Sequence, residues 1–333
     1  MAELGNLRAA VRWAIARERD DLVAEFAAEV ARELAEAGLW ADFDLLTDAA
    51  HRALERLDRP EKVQRLLSYR AQMAQRRGAD AEADRLLRQL LNHARARGDL
   101  RCAADTLFEI ASHEAACGAA DAALETLERA AQEADAAGFA DLHVSIRAME
   151  ARLRWDGGDS AGAAAAADAS AAALGGCQDR DIRLFGLVTL GVLHRDRGDG
   201  AQAERLLREA LMLARDGERT FAASRTLLEL GALYEAWEYW PQAARAYRAA
   251  DRIHAGLEGA RRREQASRAL ARFRRRHGAR PEVQAAFAAE RAAPWYETAA
   301  RLLAAAPVSR GAASLSPARE PLYVEKEKGT LET

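Results

Sequence analysis

A single register governs this sequence: a small turn residue recurs every 40 residues, at Gly38, Gly78, Gly118, Gly158, Gly198 and Gly278. The one departure is Glu238, within Glu235-Ala-Trp-Glu-Tyr239, where the flanking residues keep the phase. Five residues after each site stand Phe43, Ala83, Ala123, Ala163, Ala203, Ala243 and Val283, and seven before each stand Ala31, Ala71, Ala111, Ala151, Gly191, Gly231 and Ala271. The second set is all Ala or Gly, which two helices need if their axes are to approach closely. Between the sites, apolar residues recur at helical spacing, as in Leu86, Leu87, Leu90 and Leu91, or Leu206, Leu207, Ala210 and Leu211. Each unit therefore reads as helix, glycine turn, helix. The glycine supplies the left-handed residue that ends the first helix, and Asp99, Asp121, Asp159 and Asp199 supply turn or cap chemistry near the boundaries. One such pair cannot bury its own apolar face, so the expectation is a stacked, quasi-one-dimensional array with a continuous core.

Composition agrees. Half of the 333 residues are hydrophobic, only 6% are aromatic, seven are proline, and no segment has the alternation of a strand. The net charge of -3 gives no global pull toward nucleic acid or anionic membrane. The run Gly162 to Ala167, bounded by Asp159 and Asp168, is far shorter than the ~20 apolar residues of a membrane span. Glu3 and the lack of an apolar block near the start argue against a secretory signal, so a cytoplasmic chain is expected. Three cysteines give no disulfide framework: Cys102 and Cys117 fall on one helix about four turns apart.

The repeats resemble the tetratricopeptide family. Leu190-Gly191-Val-Leu-His194 with Ala203-x3-Leu207 and Ala210, and Leu230-Gly231-Ala-Leu-Tyr234 with Ala243-x3-Tyr247 and Ala250, match its Leu-Gly-x2-Tyr and Ala-x3-Phe-x2-Ala pattern. Ala83-x3-Leu87 and Ala123-x3-Leu127 match in part. The period of 40 in place of 34, and the missing closing proline, suggest longer second helices. The resemblance implies an all-α, right-handed superhelical solenoid of antiparallel helix pairs, with about seven repeats over residues 19–297. Residues 1–18 then form a half-repeat or capping helix, 294–306 a C-terminal capping helix, and 307–333, which hold three of the seven prolines and no periodicity, a disordered tail. The stretch Leu4 to Ala14 also resembles the opening of the helical region that follows the ATPase module in large bacterial signal-transduction ATPases of the STAND type and their transcription-regulator relatives.

Reactive constellations are sparse. Gly158-Asp-Ser160-Ala-Gly162 fits the G-x-S-x-G elbow, which requires a preceding strand, yet here a helix precedes it and Gly158 is already the repeat's turn residue. His113-x3-Cys117 puts two potential metal ligands on one helical face without C-x2-C or H-x3-H support, so a packed histidine and thiol are expected. Lys62, Lys326 and Lys328 are the only lysines, and none follows a glycine run that could cradle phosphate. No catalytic residue, cofactor or metal is expected, and the chain reads as a binding protein, not an enzyme.

The family's first helices line a concave groove, and carrying that face over gives a partner-binding strip of Phe108, Arg152, Trp155, Phe185, Val188, Arg195 and Leu228. The strip reads as apolar, without a partner inside the array, and with arginines placed for a ligand's carboxylates. The family's chaperone-tail clamp uses lysines and asparagines in that groove. With only Asn6 and Asn92 and no groove lysine, that ligand class is disfavoured. Arg261 to Arg280 contains nine arginines and one acid, Glu264, so a basic stripe of Arg268, Arg272, Arg275 and Arg276 could dock an acidic protein or nucleic acid. The reading is a protein- or peptide-binding scaffold in bacterial signalling or regulation. The alternatives are the sensor arm of a STAND-type transcription regulator and a nucleic-acid scaffold working through the stripe.

Overall fold

A computed structural model describes residues 2–36, 39–217, 219–255, 260–291 and 293–306. The described residues form sixteen α-helices and no strand: α1 Ala2–Ala16, α2 Asp20–Glu36, α3 Trp40–Arg56, α4 Pro60–Arg77, α5 Asp80–Ala96, α6 Leu100–Ala116, α7 Ala120–Ala136, α8 Leu142–Asp156, α9 Ser160–Leu174, α10 Arg180–Asp196, α11 Gly200–Asp216, α12 Thr220–Ala236, α13 Trp240–Ala255, α14 Ala260–His277, α15 Pro281–Ala289 and α16 Trp295–Ala304. The pairs α2/α3, α4/α5, α6/α7, α8/α9, α10/α11 and α12/α13 pack most extensively, each wrapped around one grid turn. The fold is a helical repeat solenoid of antiparallel pairs, as the register implies.

The grid glycines act as the sequence suggests. Gly78, Gly118, Gly158 and Gly198 have φ of 73°, 83°, 86° and 85°, and Glu238 adopts the same left-handed conformation at 63°. Each is followed by the long-range cap bond of a Schellman turn, such as Ala119 N–H to the Glu114 carbonyl at 2.9 Å and Tyr239 N–H to the Tyr234 carbonyl at 2.8 Å. Gly278 departs from the set: its φ is not positive, and a Cβ there would meet the Arg274 carbonyl at 2.5 Å. Gly38 lies outside the described residues.

Two expectations need correction. The second helices are not the longer ones: α6, α7, α10 and α11 are all 17 residues, so the six residues beyond a 34-residue period are shared between both helices of a pair. The turns between units are also built like the turns within them. Gly98, Gly138, Glu18 and Asp58 are left-handed too, which makes the geometric repeat 20 residues and not 40. Among the capping aspartates, Asp99, Asp159 and Asp199 accept from the N–H groups of Cys102, Gly162 and Gln202. Asp121 instead lies inside the first turn of α7, while Asp179, which the register did not single out, caps α10.

Small residues sit at the crossings because nothing larger fits. Ala83, Ala123, Ala163, Ala203 and Ala243 are fully buried. A Cβ on Gly191 would meet the Leu207 side chain at 2.8 Å, and one on Gly231 would meet the Tyr247 ring at 2.9 Å. Ala271, the last of its set, is only half-buried.

The stack is not uniform. The link between α9 and α10 is five residues, 175–179, and the alanine-rich α9 touches α10 sparingly while α10 leans on α8. Gly186 allows that approach, since a Cβ there would lie 2.4 Å from Val144 Cγ1. α16 folds back onto α13 and α11, where Arg208 donates to the carbonyls of Leu302 and Leu303 at 3.0 and 2.7 Å. The tail from 307 lies outside the described residues.

Candidate interaction face

The first helices of the units stand on the inner side of the bend, because side chains on α6 and α10 reach each other past α8. Phe108 and Phe185 meet edge to face with ring centroids 5.4 Å apart. This corrects the expectation of an apolar strip with no internal partner. Val188 and Leu228 are 3% and 6% exposed, so they belong to the contacts between inner helices and not to an open groove. Ser145 on α8 is buried as well. The close α8–α10 approach that Gly186 permits brings Val188 against α8.

Trp155, near the end of α8, is half-buried against the core. Beside it Arg152 donates to Asp156 at 2.9 Å and to Asp196 on α10 at 2.5 Å. Arg195 continues the chain, donating to Asp196 at 2.8 Å and pairing with Glu229 on α12. The two arginines thus stitch three successive inner helices together. Burial opposes the charge on Arg195, but the Glu229 and Asp196 carboxylates outweigh it and raise its pKa. Neither guanidinium is held idle for a ligand, which the sequence could not reveal because the partners lie 34 and 44 residues away. Trp155, Arg152, Asp156 and Asp196 together form a partly exposed aromatic site with a mixed-charge rim.

Further toward the N-terminus, Glu109 on α6 has its Oε2 sealed from solvent with no hydrogen-bond partner. Burial, with the Asp105 carboxylate one turn away, pushes its pKa up to about 7. Glu229 stands at the equivalent place three units on, where Arg195 meets it. Sequence reasoning passed over Glu109, although a carboxylate in that register was visible.

The remaining motifs resolve structurally. Asp80 joins His113 and Cys117, their ligand atoms all within 4.8 Å of one another. His113 Nε2, however, lies 3.1 Å from the Asp80 backbone carbonyl, and His93 Nε2 makes the same 3.1 Å contact to the Pro60 carbonyl one helix earlier. The imidazole is a recurring buttress of helix packing, and the nitrogen nearest Cys117 is the one that donates to the carbonyl. Ser160 opens α9 after a helix and a turn, with Asp159 capping it through the Gly162 N–H, so no nucleophile elbow is formed. On the outer side a shallow cavity of about 160 Å³ lies between α9, α10 and α11, crossed by an Arg183–Glu209 pair at 2.8 Å.

In the basic stripe, Arg275 and Arg276 are exposed, and Arg276 lies 3.9 Å from Glu235. Arg268 and Arg272 both have partners of their own. The side chains of Arg261 to Arg263 lie outside the described residues. Among the described residues, no helix is long and apolar enough to cross a membrane.

No family model matches the chain, and no curated protein matches it. Solved structures do. A STAND signal-transduction ATPase from Pyrococcus horikoshii that carries a tetratricopeptide repeat sensor superposes with a TM-score of 0.50 at 16% identity, over 90% of this chain and 46% of that one. This chain thus spans about half the length of that protein. BtubC (BKLC) from P. vanneervenii gives a TM-score of 0.34 at 18% identity, covering 90% and 96%, and a circular tandem repeat protein gives 0.24 at 15%, covering 90% and 76%. The fold is that of a tetratricopeptide-like repeat solenoid.

Proposed function

We propose that this chain is a protein- or peptide-binding scaffold of bacterial signalling or regulation, working in the cytoplasm, whose inner face receives the partner around Trp155. The carrying observation is the half-buried Trp155 ring beside Arg152, Asp156 and Asp196. A large amphipathic ring in a partly enclosed, mixed-charge site is the kind of residue that dominates interfaces. The ion pairs leave Asp156 about half exposed and Asp196 and Arg152 less so. A ligand that brings both a cation and an anion can join this network without breaking it. Phe108, Phe185, Val188 and Leu228 hold the inner helices that present the site, and Arg195 sets the spacing between α10 and α12.

A finer form of this reading makes the array the sensor arm of a STAND-type regulator. It is supported by the solved structure that matches 90% of this chain but only 46% of itself, and by the opening Leu4 to Ala14. Affinity capture from the source organism, with Trp155→Ala and Trp155→Phe beside the natural chain, tests both forms. Loss of a specific partner with Trp155→Ala and its retention with Trp155→Phe is expected. Equal capture by all three moves the site away from Trp155. Recovery of a nucleotide-binding ATPase polypeptide supports the sensor-arm form.

A further inference from the structure

At the C-terminal end of the array, arginines from three elements come together. Arg248 lies on α13, Arg274 on α14, and Arg291 just after α15. Arg252, one turn on from Arg248, donates to the backbone carbonyls of Glu290, Arg291 and Ala293, and so holds the Arg291 segment beside α13. Arg274 lies over the Phe287 ring of α15, 4.7 Å from its centroid, which fixes its guanidinium while leaving its donors unspent. Arg248 Nε is sealed from solvent and has no hydrogen-bond partner.

The nearby acids among the described residues have partners of their own. Glu290 is 1% exposed and takes Thr298, Arg301 and Arg245. Asp251 accepts from Ser267 at 2.7 Å. Among the described residues, none of Arg248, Arg274 and Arg291 makes an ion pair. Burial, together with the charges of Arg274, Arg252 and Arg291, pushes the Arg248 guanidinium below its ordinary pKa, with Asp251 the only opposing charge. Like charges gathered at one point are a standing cost unless an anion relieves it.

We propose that Arg248, Arg274 and Arg291 form a receptor for a compact oxyanion, a phosphate monoester dianion. The convergence of forked donors from three elements suits one multivalent anion with several acceptor oxygens. A polyanion would call instead for an extended row, which is what Arg268, Arg272, Arg275 and Arg276 offer along one helix. The receptor is independent of the Trp155 reading, since it lies on different units and different helices.

The test is calorimetric titration of the full chain with inorganic phosphate at fixed ionic strength, beside chloride, followed by a peptide containing phosphoserine and the same peptide unphosphorylated. Saturable phosphate binding is expected, at least about tenfold weaker in Arg248→Gln and in Arg274→Gln. Arg275→Gln, one residue along α14, should bind as the natural chain does. Arg248→Lys keeps the charge without the fork, so weakened binding in a variant that melts normally separates recognition from folding. Preference for the phosphopeptide identifies a peptide-borne phosphate as the source, and equal weak binding of both peptides beside clear phosphate binding identifies a free one. Three results overturn the proposal: no saturation by phosphate, undiminished affinity in both glutamine variants, or binding only of a single-stranded oligonucleotide with loss on Arg268→Glu and Arg272→Glu.

Discussion

Phe108 and Phe185 meet edge to face, with planes at 89°, although α8 stands between their helices in the stacking order. The contact ties the third unit to the fifth. A pair of this geometry contributes about 0.5–1.5 kcal/mol beyond its buried area. Phe185→Ala should cost roughly 2–4 kcal/mol, and the double-mutant cycle with Phe108→Ala should show a coupling in that smaller range. Chemical denaturation measures both, and strict additivity would mean that the rings do not hold the bend.

The crossings between paired helices are filled to the limit of their space. Gly231 faces the Tyr247 ring, which a Cβ would approach to 2.9 Å, and Ala243 is fully buried on the partner helix. Gly231→Val and Ala243→Leu should each destabilise by about 1–3 kcal/mol through overpacking. Ala236→Leu, at an exposed position on α12, should cost little. Melting temperatures unchanged by both core substitutions would contradict the register itself.

What the sequence disclosed and what it concealed have separate physical reasons. The turns at Gly78, Gly118, Gly158 and Gly198 were legible because only glycine adopts φ near +80° without cost, so the backbone requirement is written in residue identity. The half-period turns were concealed where Glu18 and Asp58 adopt φ of 51°, since a left-handed acid looks like any surface acid. The groove was only partly legible for another reason. The positions of Val188 and Leu228 on the inner face follow from the register, but their burial depends on how closely α8, α10 and α12 approach. The α8–α10 distance depends on Gly186 against Val144, positions 42 residues apart. Trp155 remained partly exposed because it lies at the end of its helix, beyond the tight crossing.

Glu238 does the work of a glycine in a conformation that costs a side chain roughly 1 kcal/mol or more. Its φ is 63°, and the Schellman bond from Tyr239 N–H to the Tyr234 carbonyl is intact at 2.8 Å. Glu238→Gly should therefore stabilise the sixth unit by about 1 kcal/mol, and Glu238→Val should destabilise it by a larger amount. Opposite shifts in denaturation midpoint confirm the conformation, whereas a loss of stability with glycine shows that the Glu238 side chain has a role of its own.

Glu109 carries a stability penalty that depends on pH. Its folded pKa, about 7, lies above the ordinary carboxylate value because of burial and the Asp105 charge. The neutral form is therefore favoured in the fold, and its contribution is fully present below the ordinary value. It is lost as pH rises through about 7, with a limit of about 3 kcal/mol. Glu109→Gln should leave stability at pH 5 nearly unchanged and raise it at pH 8. Equal effects at both pH values would show that Glu109 is charged and satisfied throughout.

Glu290 has the opposite sign. Burial works against its ionised form, but hydrogen bonds from Arg301 and Thr298 and the charge of Arg245 more than offset it, so its folded pKa lies below the ordinary value. The stabilisation it provides is present above the ordinary carboxylate range and is lost as pH falls through the depressed value. Its contacts, Arg301 Nη2 at 2.5 Å and Thr298 Oγ1 at 2.6 Å, both come from α16, so the loss should be local. Acid below the ordinary carboxylate range should release α16 from α13 and α11 before the array unfolds. Glu290→Gln should do the same at neutral pH, at a cost of about 1–2 kcal/mol, because the hydrogen bonds from Arg301 and Thr298 lose a charged acceptor while both arginines stay partly solvated. Hydrogen exchange across residues 295–304 reads this directly. Faster exchange there, with protection kept in α10 and α11, is the expected pattern, and a uniform rise across all helices would mean that α16 and the array unfold as one unit.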